Sequence, residues 1–180
     1  MLRQLITAVT INAVAFGSFM HVANAQLAQD ETIRIRTEQH KFRTEELECL
    51  ALNIYFETHA TSLADAMAVS DVVLTRVASR DFPSTICAVV KEGYKPGSRA
   101  CQFSWFCDGK GDTPHNREIW ILSQKYASDI YNYGKYIGIT EGSTHYHASN
   151  VKPYWAPTLD RVTRIGSHIF YRMKGKRNGR

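Results

Sequence analysis

Residues 47–61 read Leu-Glu-Cys-Leu-Ala-Leu-Asn-Ile-Tyr-Phe-Glu-Thr-His-Ala-Thr, and the rest of the chain is best read outward from them. Leu47, Leu50, Ala51, Ile54 and Tyr55 recur at helical spacing and mark one apolar stripe. At about 100° per residue, Glu57 falls beside Leu50, on the edge of that stripe. A carboxyl there is half desolvated, which favours its neutral form and raises its pKa. A general acid needs such surroundings to keep its proton near neutral pH. The plainer alternative is a helix-end glutamate that snorkels to water.

On the N-terminal side, Thr44 is placed to cap this helix, with Glu45 and Glu46 in its first turn opposing the dipole. Residues 26–43 are polar and mixed in charge and predict a flexible lead-in. Before them, Arg3, an apolar run from Leu5 to Phe19 and the close Ala23-Asn24-Ala25 describe a secretory signal over residues 1–25. Retention of that segment as a membrane anchor is the rival reading. The run is interrupted by Thr10, Asn12, Gly17 and Ser18, and is short for a span of about 20 apolar residues.

On the C-terminal side, Ser62 is placed to cap a helix from about Leu63 to Ser79. Ala66, Met67, Ala68, Val69, Val72, Val73, Leu74 and Val77 make it apolar nearly all round, as a central buried helix is. Phe82-Pro83 stops it, and Ser84 caps a short run through Ile86, Val89 and Val90. Gly93 to Gly97 is a loop, and residues 101–107 read as a short strand or a stapled loop ending in the turn Asp108-Gly109. Thr113-Pro114 opens a further helix that fades at Tyr133-Gly134. Thr144 to His147 alternates as a strand, Pro153, Trp155 and Pro157 make a rigid aromatic turn, and Arg164 to Arg172 closes the fold as an extended segment. The class is α+β: a mainly helical core with short strands and aromatic loops appended.

Charge and cysteine narrow the setting. The net charge is +5, but Arg3 and the five cations of the last nine residues account for more than all of it, leaving −1 for residues 26–171. The basicity is thus a tail over residues 173–180 and its approach, suited to an anionic envelope surface or to solubility alone. No basic face interleaved with aromatics points to nucleic acid. The four cysteines, Cys49, Cys87, Cys101 and Cys107, suit two disulfides in an exported chain, with three connectivities open. Cys101 and Cys107 enclose a small loop and pair easily, which would leave Cys49 with Cys87. No Cys-x-x-Cys spacing suggests a zinc site. His145 and His147, with His59, His115 and His168, raise a zinc amidase as an alternative, although three ligands are not evident from spacing. No metal or cofactor is expected.

Six blocks, in order, carry a resemblance: residues 50–57, 72–77, 82–87, 101–105, 144–148 and 165–172. They read LALNIYFE, VVLTRV, FPSTIC, CQFSW, THYHA and IGSHIFYR. Together they resemble the SleB-type cell-wall hydrolases, a family of spore-cortex-lytic enzymes and their bacterial and phage relatives. The resemblance covers about Glu46 to Arg172, so one catalytic domain is expected over residues 44–172. It implies a lysozyme-like domain that cuts the glycan strands of peptidoglycan as a lytic transglycosylase or muramidase, with Glu57 as the catalytic acid; separately, a monomer is expected. Phe103, Trp105, Tyr146 and Trp155 would then offer flat faces to sugars, while Gln102, Ser104 and His145 would hydrogen-bond their polar groups.

One departure matters. Relatives continue after the glutamate with Ala-Arg-Gly-Glu, where this chain has Thr58-His59-Ala60-Thr61, so Thr61 stands in place of a second carboxylate. Asp65, Asp108 and Asp112 are candidate replacements. Without one, internal attack by a sugar hydroxyl is favoured over water, and a catalytically weak peptidoglycan-binding module is a further alternative. Export to the periplasm or the extracellular cell wall follows from the signal.

Overall fold

The computed structural model describes residues 2–60, 62–97 and 100–175, with side chains from residue 24 onward. The chain divides into two compact units, Met1–Arg43 and Thr44–Arg180. Helix α1 is assigned over Leu2–Thr58, so residues 26–43 are helical rather than an open lead-in. That stretch contains no glycine or proline, is rich in straight-chain residues, and carries an i,i+3 pair of Glu31 with Arg34 at 3.0 Å. Its side chains are exposed, including Leu27, Ile33, Ile35 and Phe42. Thr44 lies inside the helix and is not its cap.

In the second unit, α2 (Leu63–Val77) is the central helix. Ser62 caps it by accepting the Asp65 N–H at 3.3 Å. Met67, Val69, Val72 and Val73 have no exposed surface, and Leu50 and Ile54 of α1 join Met67 and Val73 in the main core. Burying each such side chain contributes roughly 1.5–3 kcal/mol. Asp71, on the same buried helix, has its carboxyl satisfied by hydrogen bonds from the Gly138 and Thr140 N–H groups and the Thr140 hydroxyl.

Helix α3 (Ile86–Val90) is capped by Thr85, one residue later than the sequence suggests. The buried Glu46 carboxylate of α1 accepts the Ile86 and Cys87 N–H groups at its start, and the Cys49–Cys87 disulfide fastens the same two helices. Helix α4 (Arg117–Tyr133) begins after Asn116, whose side chain accepts the Glu118 and Ile119 N–H groups. Thr113-Pro114 is not the cap, because the Tyr55 hydroxyl accepts the His115 and Asn116 N–H groups and holds the lead-in in place.

The sheet is antiparallel, in the order β1 (His145–Ala148), β3 (His168–Arg172), β2 (Asp160–Ile165). The expected single extended segment after Arg164 is therefore part of a hairpin. It turns at Gly166, where φ is +52° and a Cβ would run into the Asp65 carboxylate. Residues 101–107 form a loop closed by the Cys101–Cys107 disulfide, with a 3-10 turn over Ser104–Cys107 rather than a strand. Among the described residues no helix is long and apolar enough to cross a membrane.

Candidate active site

Glu57 is the penultimate residue of α1. The helix ends because His59 and Ala60 take left-handed φ values of +52° and +47°, while the Thr58 hydroxyl bonds back to the Ile54 carbonyl. The chain therefore turns away at once and leaves Glu57 at an open helix end. It is half-buried, on the wall of a cleft of ≈ 570 Å³.

Opposite it stands β1. Register pairs Tyr146 with Phe170, on the face that packs against α2, and from there the Tyr146 hydroxyl donates to Glu57 Oε2 at 3.0 Å. Burial pushes the Glu57 carboxyl above its ordinary range, and the Tyr146 hydrogen bond, then the charges of His168 and Arg76, pull against that rise. Burial and the neighbouring Glu57 likewise push the Tyr146 phenol well up, so it stays a donor.

Gln102, Phe103 and Ser104 line the cleft from the disulfide-closed loop, and His145 and Trp155 line it from β1 and the turn that follows. Trp105 does not. Its ring is buried, stacks on Phe56 at 4.7 Å and donates to Asn53 Oδ1 at 3.1 Å, and its remaining surface lines a separate pocket with Leu52 and Phe106. Phe103 is only 3% exposed and serves mainly as packing under the cleft.

None of the three aspartates considered as a second carboxylate lines this cleft. Asp65 is held by His168 Nδ1 at 2.7 Å and by the Ser167 N–H at 2.9 Å. Burial raises its carboxyl, but the bonds from His168 and Ser167 outweigh that and leave it below the ordinary range. Asp108 sits with Lys110, and Asp112 lies in a separate pocket beside Glu45 and Glu48. Thr61 lies outside the described residues. Among the described residues, Glu57 is thus the one carboxylate on the cleft wall. His145 shares a hydrogen bond with the Thr144 hydroxyl and His147 with the Tyr171 hydroxyl, and no group of three potential metal ligands occurs among the described residues.

Sequence reasoning missed Arg76, Thr158 and Leu159, which also line the cleft. For Arg76 a signal existed: it is the one cation in the apolar run from Leu63 to Val77.

A helical core thus carries one carboxyl, raised by burial, onto the wall of a polar, aromatic-sided cleft, which is the arrangement of a candidate acid–base site. The chain belongs to the cell wall hydrolase family, whose model matches residues 60–171. That match starts just after Glu57 and takes in every other cleft residue named here. Among solved structures, the chain is similar to the catalytic domain of the germination-specific lytic transglycosylase SleB from Bacillus anthracis. The identity is 26% and the TM-score 0.55, over 71% of this chain and 93% of that one. It shares the fold of the catalytic domain of the Bacillus cereus SleB protein at 24% identity and a TM-score of 0.54, over 72% and 91% of the two chains. None of the curated proteins compared with the chain matches it.

Proposed function

We propose that this protein is exported and cuts the glycan strands of peptidoglycan as a lytic transglycosylase, with Glu57 as acid and then base. The observation that carries the reading is a single cleft carboxyl, raised by burial and held by Tyr146 through one oxygen. Tyr146 occupies Oε2, which leaves Oε1 to carry the proton. That proton passes to the glycosidic oxygen as the C1–O bond breaks, its electron pair going to the leaving oxygen. The C6 hydroxyl oxygen of the same sugar then bonds to C1, and its proton returns to Glu57. The product is a 1,6-anhydro end, no water is consumed, and one carboxyl serves both steps.

Hydrolysis by water normally uses two carboxyls about 5–9.5 Å apart. The absence of a second carboxylate from the described cleft wall favours the internal route. Membership of the cell wall hydrolase family and likeness to a lytic transglycosylase domain support the substrate class. The signal-like residues 1–25 and the even cysteine count support export, and the basic C-terminal residues suit an anionic envelope. The test is Glu57→Gln, which keeps the shape and removes the transferable proton. Clearing of a purified peptidoglycan suspension should slow by at least about 10²-fold. A variant within tenfold of wild type would remove Glu57 from the mechanism.

A further inference from the structure

Arg76 lies one residue from the end of α2, among alanines and valines, and its side chain is 2% exposed. A buried guanidinium is costly unless its charge is matched, and a carboxylate in contact is the usual match. Among the described residues no carboxylate lies within ion-pair distance of Arg76. Its Nε donates to the Thr144 carbonyl at 2.7 Å. The rings of Phe82 and Phe103 lie 5.2 and 5.4 Å from the guanidinium carbon, and Nη1 has no hydrogen-bond partner. These contacts hold the cation in place without neutralising it. The same residue lines the cleft with Glu57.

We propose that Arg76 is a positioning residue whose buried guanidinium supplies the counter-charge for the Glu57 carboxylate formed during glycan cleavage. This rests on the reading of Glu57 as the acid. When the Glu57 O–H bond breaks and the proton bonds to the leaving oxygen, a negative charge stays behind in a half-buried site. Tyr146 offers that charge one hydrogen bond, and Arg76 offers a full positive charge.

Distance explains why the two are not paired at rest. An opposite charge in contact lowers a carboxyl by about 1–3 units, which works directly against the proton that Glu57 must keep as an acid. Beyond contact range, Arg76 lowers the cost of forming the carboxylate while burial still keeps the proton on. The charged and titratable groups around the pair are few. Tyr146 and His168 act on Glu57 alongside Arg76, while Tyr146 and Glu92 act on Arg76 alongside Glu57. His145 feels Arg76 from β1.

The experiment compares wild type, Arg76→Met and Arg76→Lys, each checked for folding by thermal melt. It measures rate against pH on soluble glycan strands and a 13C-carboxyl NMR titration of Glu57. The acid must be protonated, so activity falls as pH rises through its pKa. Losing the cation should raise that pKa. In Arg76→Met, the NMR midpoint and the alkaline limb should both rise by more than about 0.3 unit, short of the roughly 1–3 units that a pair in contact would give. The kcat should fall by ~10-fold or more with KM within about threefold, and Arg76→Lys should restore most of both.

A folded Arg76→Met whose limb and midpoint stay within about 0.3 unit of wild type would overturn the proposal, since a purely structural role moves neither. A raised KM at unchanged kcat would also overturn it, making Arg76 a substrate contact instead. If Arg76→Met does not fold, the wild type decides. Its Arg76 guanidinium 15N signals should shift with the Glu57 midpoint, and that shift should vanish in Glu57→Gln. A flat curve in the wild type overturns the coupling. A wild type that cuts no glycan overturns the reading of the reaction, and the two titrations then still decide whether the charges are coupled.

Discussion

Breaking the Cys49–Cys87 disulfide should destabilise the second unit far more than breaking Cys101–Cys107. The first closes a span of 38 residues and the second a span of 6. In the chain-entropy account, the longer loop restrains the unfolded state by about 4 kcal/mol and the shorter by about 2 kcal/mol. The longer bond also joins α1 to α3 where Glu46 caps the shorter helix, so its loss loosens a contact that the core needs. The perturbation is the double variant Cys49→Ala/Cys87→Ala, followed by calorimetry against wild type. About 4 kcal/mol corresponds to a fall in Tm of roughly 10–20 °C for a domain of this size. The companion variant Cys101→Ala/Cys107→Ala should melt closer to wild type and lose activity instead, because the loop it frees carries Gln102, Phe103 and Ser104 into the cleft. A Cys49→Ala/Cys87→Ala protein that melts within about 3 °C of wild type would refute the loop-entropy reasoning.

Tyr146→Phe removes a hydrogen bond that favours the ionised form of Glu57, so the carboxyl should climb further. A bond to a charged group is worth about 1.5–3 kcal/mol, so the alkaline limb of the pH–rate profile should move up by about one to two units. A limb that does not move would show that the phenol does not hold the working carboxylate. Protein recovered from outside the cytoplasm should begin at Gln26 and carry no free thiol. Intact mass with and without reduction and alkylation checks both, and retention of residues 1–25 would favour an anchor.

The parts legible in the sequence are those decided by local pattern. A 15-residue apolar helix opened by Ser62 is unmistakable in α2, and the stripe from Leu47 to Tyr55 places Glu57 at its edge without any other information. The cleft residues beyond Glu57 came from resemblance, because their grouping depends on contacts across the chain. Tyr146 reaches Glu57 over 89 residues, Arg76 reaches Thr144 over 68, and His168 reaches Asp65 over 103. No periodicity reports such pairs. Local misreadings had local causes. Asn116 outcompetes Thr113 as a cap because Tyr55 fixes the backbone between them, and Gly166 divides a run that otherwise reads as one extended segment. Trp105 reads in the sequence as an aromatic face for sugars, and the 3-10 turn over Ser104–Cys107 places it in the core cluster, outside the cleft that holds Glu57.

The most direct test of the central claim is mass spectrometry of muropeptides released from purified peptidoglycan by the wild-type protein. With Glu57 acting alone as acid and base, the main products should carry 1,6-anhydro ends, one water lighter than hydrolysed fragments, with little gain in reducing ends. A digest dominated by the heavier, reducing-end species would contradict the account and require a second group that activates water.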